Sequence, residues 1–235
     1  MSAAGFQAVI LAGGLGTRLR PLTYEIPKPM VPVLGKPFLE HLITLLKERG
    51  AGEILLLTGY LGEQIEAHFG DGAVLGIPIR YSREASPLGT GGALVQALPL
   101  LRETFVLLYG DSFLPIDFGA VHARLDDPRW KGVTVAYDNT HPTDVRENLA
   151  LTGDGGVLLY LKDGDDPRLS HVEAGVTALR KGALAGLPEG AFSLEQTLFP
   201  RLIADGALGA YETLERFYDI GTPGRLETIR RRLSP

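Results

Sequence analysis

The sequence predicts an α/β fold: a Rossmann-like, mostly parallel mixed sheet, with a smaller antiparallel portion in the second half of the chain. Three observations carry this. Apolar strand-type runs alternate with helical runs through the first half, the pattern of parallel strands joined by right-handed crossovers. Phe105-Val106-Leu107-Leu108-Tyr109 is apolar throughout, as suits a strand buried on both faces. Beyond residue 131 strands follow one another with no helix between them, which marks an antiparallel share.

The elements follow in order. Residues 7–12 read as the first strand and end in a glycine-rich loop; Pro21 argues against a long helix directly after it. Residues 38–49 are apolar at helical spacing, carry basic residues near their end and stop at Gly50. Strands are expected over 53–58, 79–82 and 104–109, and helices over 63–69 and 92–101. In the second half, 131–138 reads as a strand and 148–152 with 156–161 as a hairpin across Gly153-Asp154-Gly155. Residues 171–180 form a further strand, 194–205 a helix and 223–233 a closing helix.

Composition narrows the class. With 235 residues, 45% hydrophobic and 22% charged, the chain can bury a large core. No apolar run reaches membrane-spanning length, and the N-terminus lacks a signal-type pattern, so a cytoplasmic protein with no membrane partner is expected. The chain has no cysteine and hence no disulfide, thiol nucleophile or cysteine metal site. A net charge of −5 argues against nucleic acid as a partner and confines any phosphate site to a local basic pocket. The histidines, at 41, 68, 122, 141 and 171, show no metal or triad pattern and read as surface or packing residues.

The loop after the first strand carries the chemistry. Leu11-Ala12-Gly13-Gly14-Leu15-Gly16-Thr17-Arg18 ends an apolar run in glycines that let the backbone approach an anion, with Arg18 and Lys28 adding positive charge. Such a loop suits a polyphosphate. It is neither a Walker loop, since no lysine follows at the required spacing, nor a dinucleotide fingerprint, since leucine stands at the third glycine position. Asp111 follows the buried strand 104–109. Ligands of open α/β sheets sit at the carboxyl ends of strands, so the loop and Asp111 converge on one edge.

These residues, with Lys28-Pro29-Met30, Pro87-Leu88-Gly89-Thr90-Gly91-Gly92, Tyr109-Gly110-Asp111-Ser112 and Tyr218-Asp219-Ile220-Gly221-Thr222-Pro223, resemble the sugar-1-phosphate nucleotidylyltransferases. They are most similar to the heptose-1-phosphate and mannose-1-phosphate guanylyltransferase branch. The resemblance implies the nucleotide-diphospho-sugar transferase fold and one catalytic domain over 1–235. Residues from about 1 to 130 would bind nucleotide, and those from about 131 to 235 would bind sugar phosphate and close the fold. Hexapeptide repeats are lacking, so no C-terminal β-helix is expected. The implied reaction is in-line attack of a sugar 1-phosphate on the α-phosphorus of a nucleoside triphosphate, giving an NDP-sugar and pyrophosphate. Positioning and charge neutralisation, not a general base, are what it needs.

The resemblance also implies roles. Arg18, Lys28 and Asp111 would be catalytic. The nucleotide would meet Leu11, Ala12, Gly13, Gly14, Gly16, Thr17, Arg18, Glu84, Pro87, Gly89, Thr90 and Asp111. Asp111 and Asp219 would hold Mg²⁺, a hard ion that takes one or two carboxylates and keeps its waters. Lys162, Glu173, Gly175 and Glu195 would face the sugar phosphate, although leucine and aspartate flank Lys162 and glutamate stands at 173 where asparagine is usual; a capping role for Glu195 is equally open. The acceptor-only carboxylate of Glu84 suits the donors of guanine, favouring guanylyl transfer to a mannose- or heptose-type phosphate. Uridylyl, thymidylyl or cytidylyl transfer to another phosphate stays open, as does a catalytically silent nucleotide-sugar-binding regulator. Relatives often form dimers or tetramers, so a homo-oligomer is among the partners allowed.

Overall fold

The computed structural model describes residues 5–141 and 143–234. Seven strands, β1 (Phe6–Ala12), β2 (Ala51–Thr58), β3 (Ile79–Arg83), β4 (Thr104–Tyr109), β5 (Gly132–Tyr137), β6 (Val172–Arg180) and β7 (Leu208–Thr213), form one sheet in the order β7-β5-β6-β4-β1-β2-β3. β6 alone runs against its neighbours; the other six share a direction. The helices are α1 (Phe38–Glu48), α2 (Gly62–Phe69), α3 (Gly89–Gln96), α4 (Phe118–Ala123), α5 (Leu194–Ala204) and α6 (Pro223–Leu233).

Strand pleating divides the core into two layers, because successive side chains leave opposite faces of the sheet. Ala8, Ile10, Ile54, Leu56, Val106 and Leu108 pack against α1, α2, α4 and α6. Val9, Leu55, Leu57, Phe105 and Leu107 pack against α3 and α5. The mixed, mostly parallel sheet is therefore as predicted, and the antiparallel share comprises β6 and three short pairs. One of those pairs, 149–151 with 157–160, is the expected hairpin.

Three details differ from the sequence reading. Helix α3 starts at Gly89, three residues early, and ends at Gln96. Its glycine-rich first turn is a poor helix former but packs where side chains could not: a Cβ on Gly91 would overlap the Phe192 ring and one on Gly92 the Gly190 carbonyl. Its end is set by Pro99, which disfavours helical backbone at Leu98 and leaves only a 3₁₀ turn over Leu98–Leu100. Strand β7 has no counterpart among the expected strands; it contains Gly209, kept small because a Cβ there would lie 2.9 Å from the Trp130 ring. The six-residue α4 is too short to show a period, and its signal is Asp117, which caps it by accepting from Ala120 N at 3.0 Å.

Strand β6 brings second-half residues to the edge where the parallel strands end. Because it is antiparallel, its first residues, Glu173 to Gly175, arrive there: Val176 pairs with Leu108, one residue short of Tyr109. The register against β5 slips between Glu173 and Thr177, with Gly175 at φ +77°. Such a bulge re-aims the side chains beside it.

Candidate active site

The carboxyl ends of β1, β2, β3 and β4 surround a cavity of about 280 Å³. Of the residues expected to meet nucleotide, it is lined by Leu11, Ala12, Gly13, Gly14, Glu84, Pro87, Gly89, Thr90 and Asp111, together with Lys28. The ladder continues past the strand ends to hold these loops: Gly110 N donates to Leu11 O at 2.9 Å, Tyr60 N to Gly13 O at 3.3 Å and Glu84 N to Thr58 O at 2.9 Å. Gly16 takes φ +63° and its carbonyl accepts from Thr23 Oγ1 at 2.8 Å, turning the chain into a 3₁₀ turn over Thr17–Leu19. Thr17 and Arg18 are exposed at the rim.

Lys28 and Asp111 form an ion pair on the cavity wall, with side chains 11% and 29% exposed. Arg18 makes no ion pair among the described residues, and its guanidinium reaches Gly221, where a Cβ would lie 3.3 Å from Nη2. The glycine loop thus meets the Asp219–Gly221 loop. That loop is placed by a two-residue ladder pairing Asp219 with Ser112, and by Ile220 N donating to Asp111 O at 3.0 Å. The two predicted metal aspartates are therefore backbone neighbours. Asp111 suits a hard cation: among the described residues Oδ1 accepts only from Ser112 Oγ, at 3.3 Å, and the residue lines the cavity. The Asp219 carboxylate is already held, Oδ2 by Arg225 Nη1 at 2.8 Å and Oδ1 by Gly221 N at 2.6 Å. It is no helix cap, since Thr222 caps α6.

Glu84 is more enclosed than sequence suggests. Oε2 accepts from Leu88 N at 3.0 Å, and Oε1 packs over glycines, 2.9 Å and 2.6 Å from where a Cβ on Gly13 or Gly59 would sit. Burial raises its carboxyl above the usual range, offset by the Leu88 hydrogen bond. One oxygen shapes the loop, the other packs over Gly13 and Gly59, and the residue lines the cavity.

The four residues expected at the sugar phosphate do not share one surface. Glu173 and Gly175 lie beside Tyr109: a Cβ on Gly175 would stand 3.0 Å from the Tyr109 ring. Glu173 Oε1 accepts from Gly175 N at 2.8 Å and from Thr134 Oγ1 at 3.3 Å. Burial first, and the charge of Glu195 second, push its carboxyl up to about 7. The phenol of Tyr109 is raised by burial and by the same two glutamates. Lys162 is exposed and lines a separate open groove with Tyr160, Gln196 and Pro200. Glu195 is buried, held by Thr90, Ser193 and Tyr109, and lines a small cavity together with Glu173, Gly175 and Tyr109. The capping role left open for it falls to Ser193, which accepts from Gln196 N. Tyr109, absent from the expected set, lines both the cavity at the strand ends and the Glu173 side; its place as the last residue of β4, two before Asp111, is the available signal.

Residues 7–146 match the Nucleotidyl transferase family. The chain belongs to that family. A mannose-1-phosphate guanylyltransferase of Mycobacterium tuberculosis is 35% identical over 92% of this chain and 61% of its own length. A UTP–glucose-1-phosphate uridylyltransferase of Synechocystis is 32% identical over 85% of the chain and 56% of its own length. The chain thus spans less than two thirds of these two relatives. It spans 94% of a D-glycero-α-D-manno-heptose 1-phosphate guanylyltransferase of Aneurinibacillus thermoaerophilus, at 33% identity. The crystal structure of HddC from Yersinia pseudotuberculosis complexed with GMP-PN superposes with a TM-score of 0.82 at 27% identity, over 97% of this chain and 100% of HddC. None of the described helices is long and apolar enough to cross a membrane.

Proposed function

We propose that this nucleotidyl transferase moves a nucleotidyl group from a nucleoside triphosphate to a sugar 1-phosphate, releasing pyrophosphate, and that the favoured nucleotide is GTP. The observation that carries the reading is the convergence of the Gly13–Gly14 loop, Lys28 and Asp111 on one cavity at the carboxyl edge of the sheet. The relatives named as guanylyltransferases and the GMP-PN complex of HddC support the guanylyl choice.

The glycine loop leaves room for phosphates against the backbone, and the Lys28 ammonium, paired with Asp111, lies where it would neutralise phosphate charge. Arg18, free at the rim, would close on the triphosphate and meet the charge that develops on departing pyrophosphate. Pro87, Gly89 and Thr90 would border the base end of the cavity, and Glu84, which lines it, would offer its carboxylate to the N–H donors of guanine. Glu173 and Gly175, beside Tyr109, are the groups nearest to an incoming sugar. A sugar phosphate is already an anionic nucleophile near neutral pH, so no side chain need take a proton from it. Asp111 would hold Mg²⁺, and Asp219 would join it on giving up Arg225. The metal, when bound, supplies charge neutralisation across the two phosphates.

The test is pyrophosphate release measured with GTP, UTP, dTTP and CTP against mannose, heptose and glucose 1-phosphates. Release dependent on one sugar phosphate and highest with GTP supports the reading. Highest turnover with UTP replaces guanylyl by uridylyl transfer, and nucleotide binding with no turnover on any pair favours a silent regulator.

A further inference from the structure

Glu195 is the most deeply committed carboxylate in the chain. It is 8% exposed, lies in the first turn of α5 and has no ion-pair partner among the described residues. Its Oε2 accepts from Thr90 Oγ1 at 3.1 Å and from Ser193 Oγ at 2.9 Å, and its Oε1 accepts from the Tyr109 hydroxyl. A buried charge is costly unless its hydrogen bonds are complete, so this one is kept for what its three donors do. Two of them, Thr90 and Tyr109, line the nucleotide cavity.

The surrounding backbone repeats the tie. Phe192 N donates to Leu88 O at 3.0 Å, Gly91 N to Phe192 O at 3.0 Å and Leu194 N to Thr90 Oγ1 at 2.9 Å. A Cβ on Gly89 would stand 2.6 Å from the Phe192 carbonyl oxygen, so the glycines bring the two segments this close. Residues 192–195 thus hold the Leu88–Thr90 loop from behind, while the Tyr109 contact fixes the end of β4, two residues before Asp111.

Resting on the proposed nucleotide site, we infer that Glu195 is a positioning residue for the nucleotide: it locks the Leu88–Thr90 loop and the Tyr109–Asp111 strand end into one frame. It lines a small cavity with Glu173 and Gly175, but its oxygens are occupied by hydroxyls, and a sugar could reach them only by displacing the donors that shape the nucleotide cavity. Nucleotide affinity therefore depends on a residue from the half of the chain expected to serve the sugar phosphate.

The experiment compares wild type, Glu195→Gln, Thr90→Val and the double variant. GTP and UTP binding is measured by calorimetry without sugar phosphate, and KM is measured for each substrate in turnover. The amide of glutamine must direct an NH₂ at one of three hydroxyls, and losing such a charged hydrogen bond weakens binding by about tenfold. The expected result is nucleotide Kd and KM about tenfold higher in each single variant, no further loss in the double, and sugar-phosphate KM within about twofold of wild type. Thr90→Ser, which keeps the hydroxyl, should restore binding; Ser193→Ala, which removes a donor to Glu195 from outside the cavity and should likewise raise the nucleotide Kd, decides the matter if Glu195→Gln folds poorly. Unchanged nucleotide affinity with a raised sugar-phosphate KM, or fully additive losses, overturns the inference while leaving the proposed reaction standing. A wild type that binds neither nucleotide overturns both.

Discussion

Glu173→Gln should stabilise the chain at and above neutral pH and do little at about pH 5 and below. In the folded chain burial and Glu195 raise the Glu173 carboxyl from 4.5 to about 7. The native state therefore holds a proton that the unfolded chain has released, and stability falls as pH rises through the window from about 4.5 to about 7. The full interval, at about 1.4 kcal/mol per tenfold, sets a ceiling near 3 kcal/mol. Solvent reaching this partly exposed side chain brings the expected cost of ionisation to about 1–2 kcal/mol. Glutamine keeps the useful contacts, because its carbonyl can accept from Gly175 N and Thr134 Oγ1 where Oε1 does now. Its NH₂ would replace a charge that repels Glu195. Urea unfolding of both proteins at about pH 5 and about pH 8 reads the difference directly, expected near zero at the first and about 1–2 kcal/mol in favour of the variant at the second. A difference that is the same at both pH values, or a variant less stable at the higher one, would refute this reading of the acidic pair.

Other expectations concern the cavity itself. Asp111→Asn keeps the shape but removes the charge facing Lys28, so kcat should fall by about 100-fold or more in excess Mg²⁺ while the melting temperature barely moves; retained turnover would clear Asp111 of a catalytic role. Arg18→Ala, at an exposed position without an ion pair, should likewise lower kcat and not stability, and a variant that unfolds instead would make Arg18 structural. Glu84→Gln should keep Leu88 N on its carbonyl and offer an NH₂ to the base, cutting the GTP/UTP ratio of kcat/KM by about tenfold. A ratio that stays constant would remove Glu84 from base reading. Gly91→Ala forces a methyl into the Phe192 ring and should cost about 1–3 kcal/mol, seen as a fall of about 2–4 °C in Tm per kcal/mol; an unshifted Tm would mean the ring moves aside freely.

The features legible in the sequence are local and strongly patterned. β1 and β4 are continuous apolar runs, and the glycine loop and Asp111 fall at one edge because both follow such strands. Helix α6 is bounded by Thr222, Pro223 and Leu233, a cap and a periodic run that need no tertiary context. The hidden features depend on partners far along the chain. The start of α3 is decided by Phe192 and Gly190, a hundred residues away, and β7 shows only beside β5. The commitment of Glu195 to Thr90 and Tyr109, the hold of Arg225 on Asp219 and the enclosure of Glu84 are side-chain pairings that spacing does not encode. Lys162 matches a motif whose neighbours differ here, and it lines a groove apart from the cavity that holds Lys28 and Asp111.

The central claim is that the α-phosphorus of a nucleotide held in this cavity passes to a sugar phosphate. It is tested most directly by following that atom. GTP radiolabelled at the α-phosphorus, incubated with Mg²⁺, the chain and mannose or heptose 1-phosphate, should yield label in an NDP-sugar, and γ-labelled GTP should yield label only in pyrophosphate. α-Label appearing as free GMP or GDP, or no transfer with any of the four nucleotides, would contradict it.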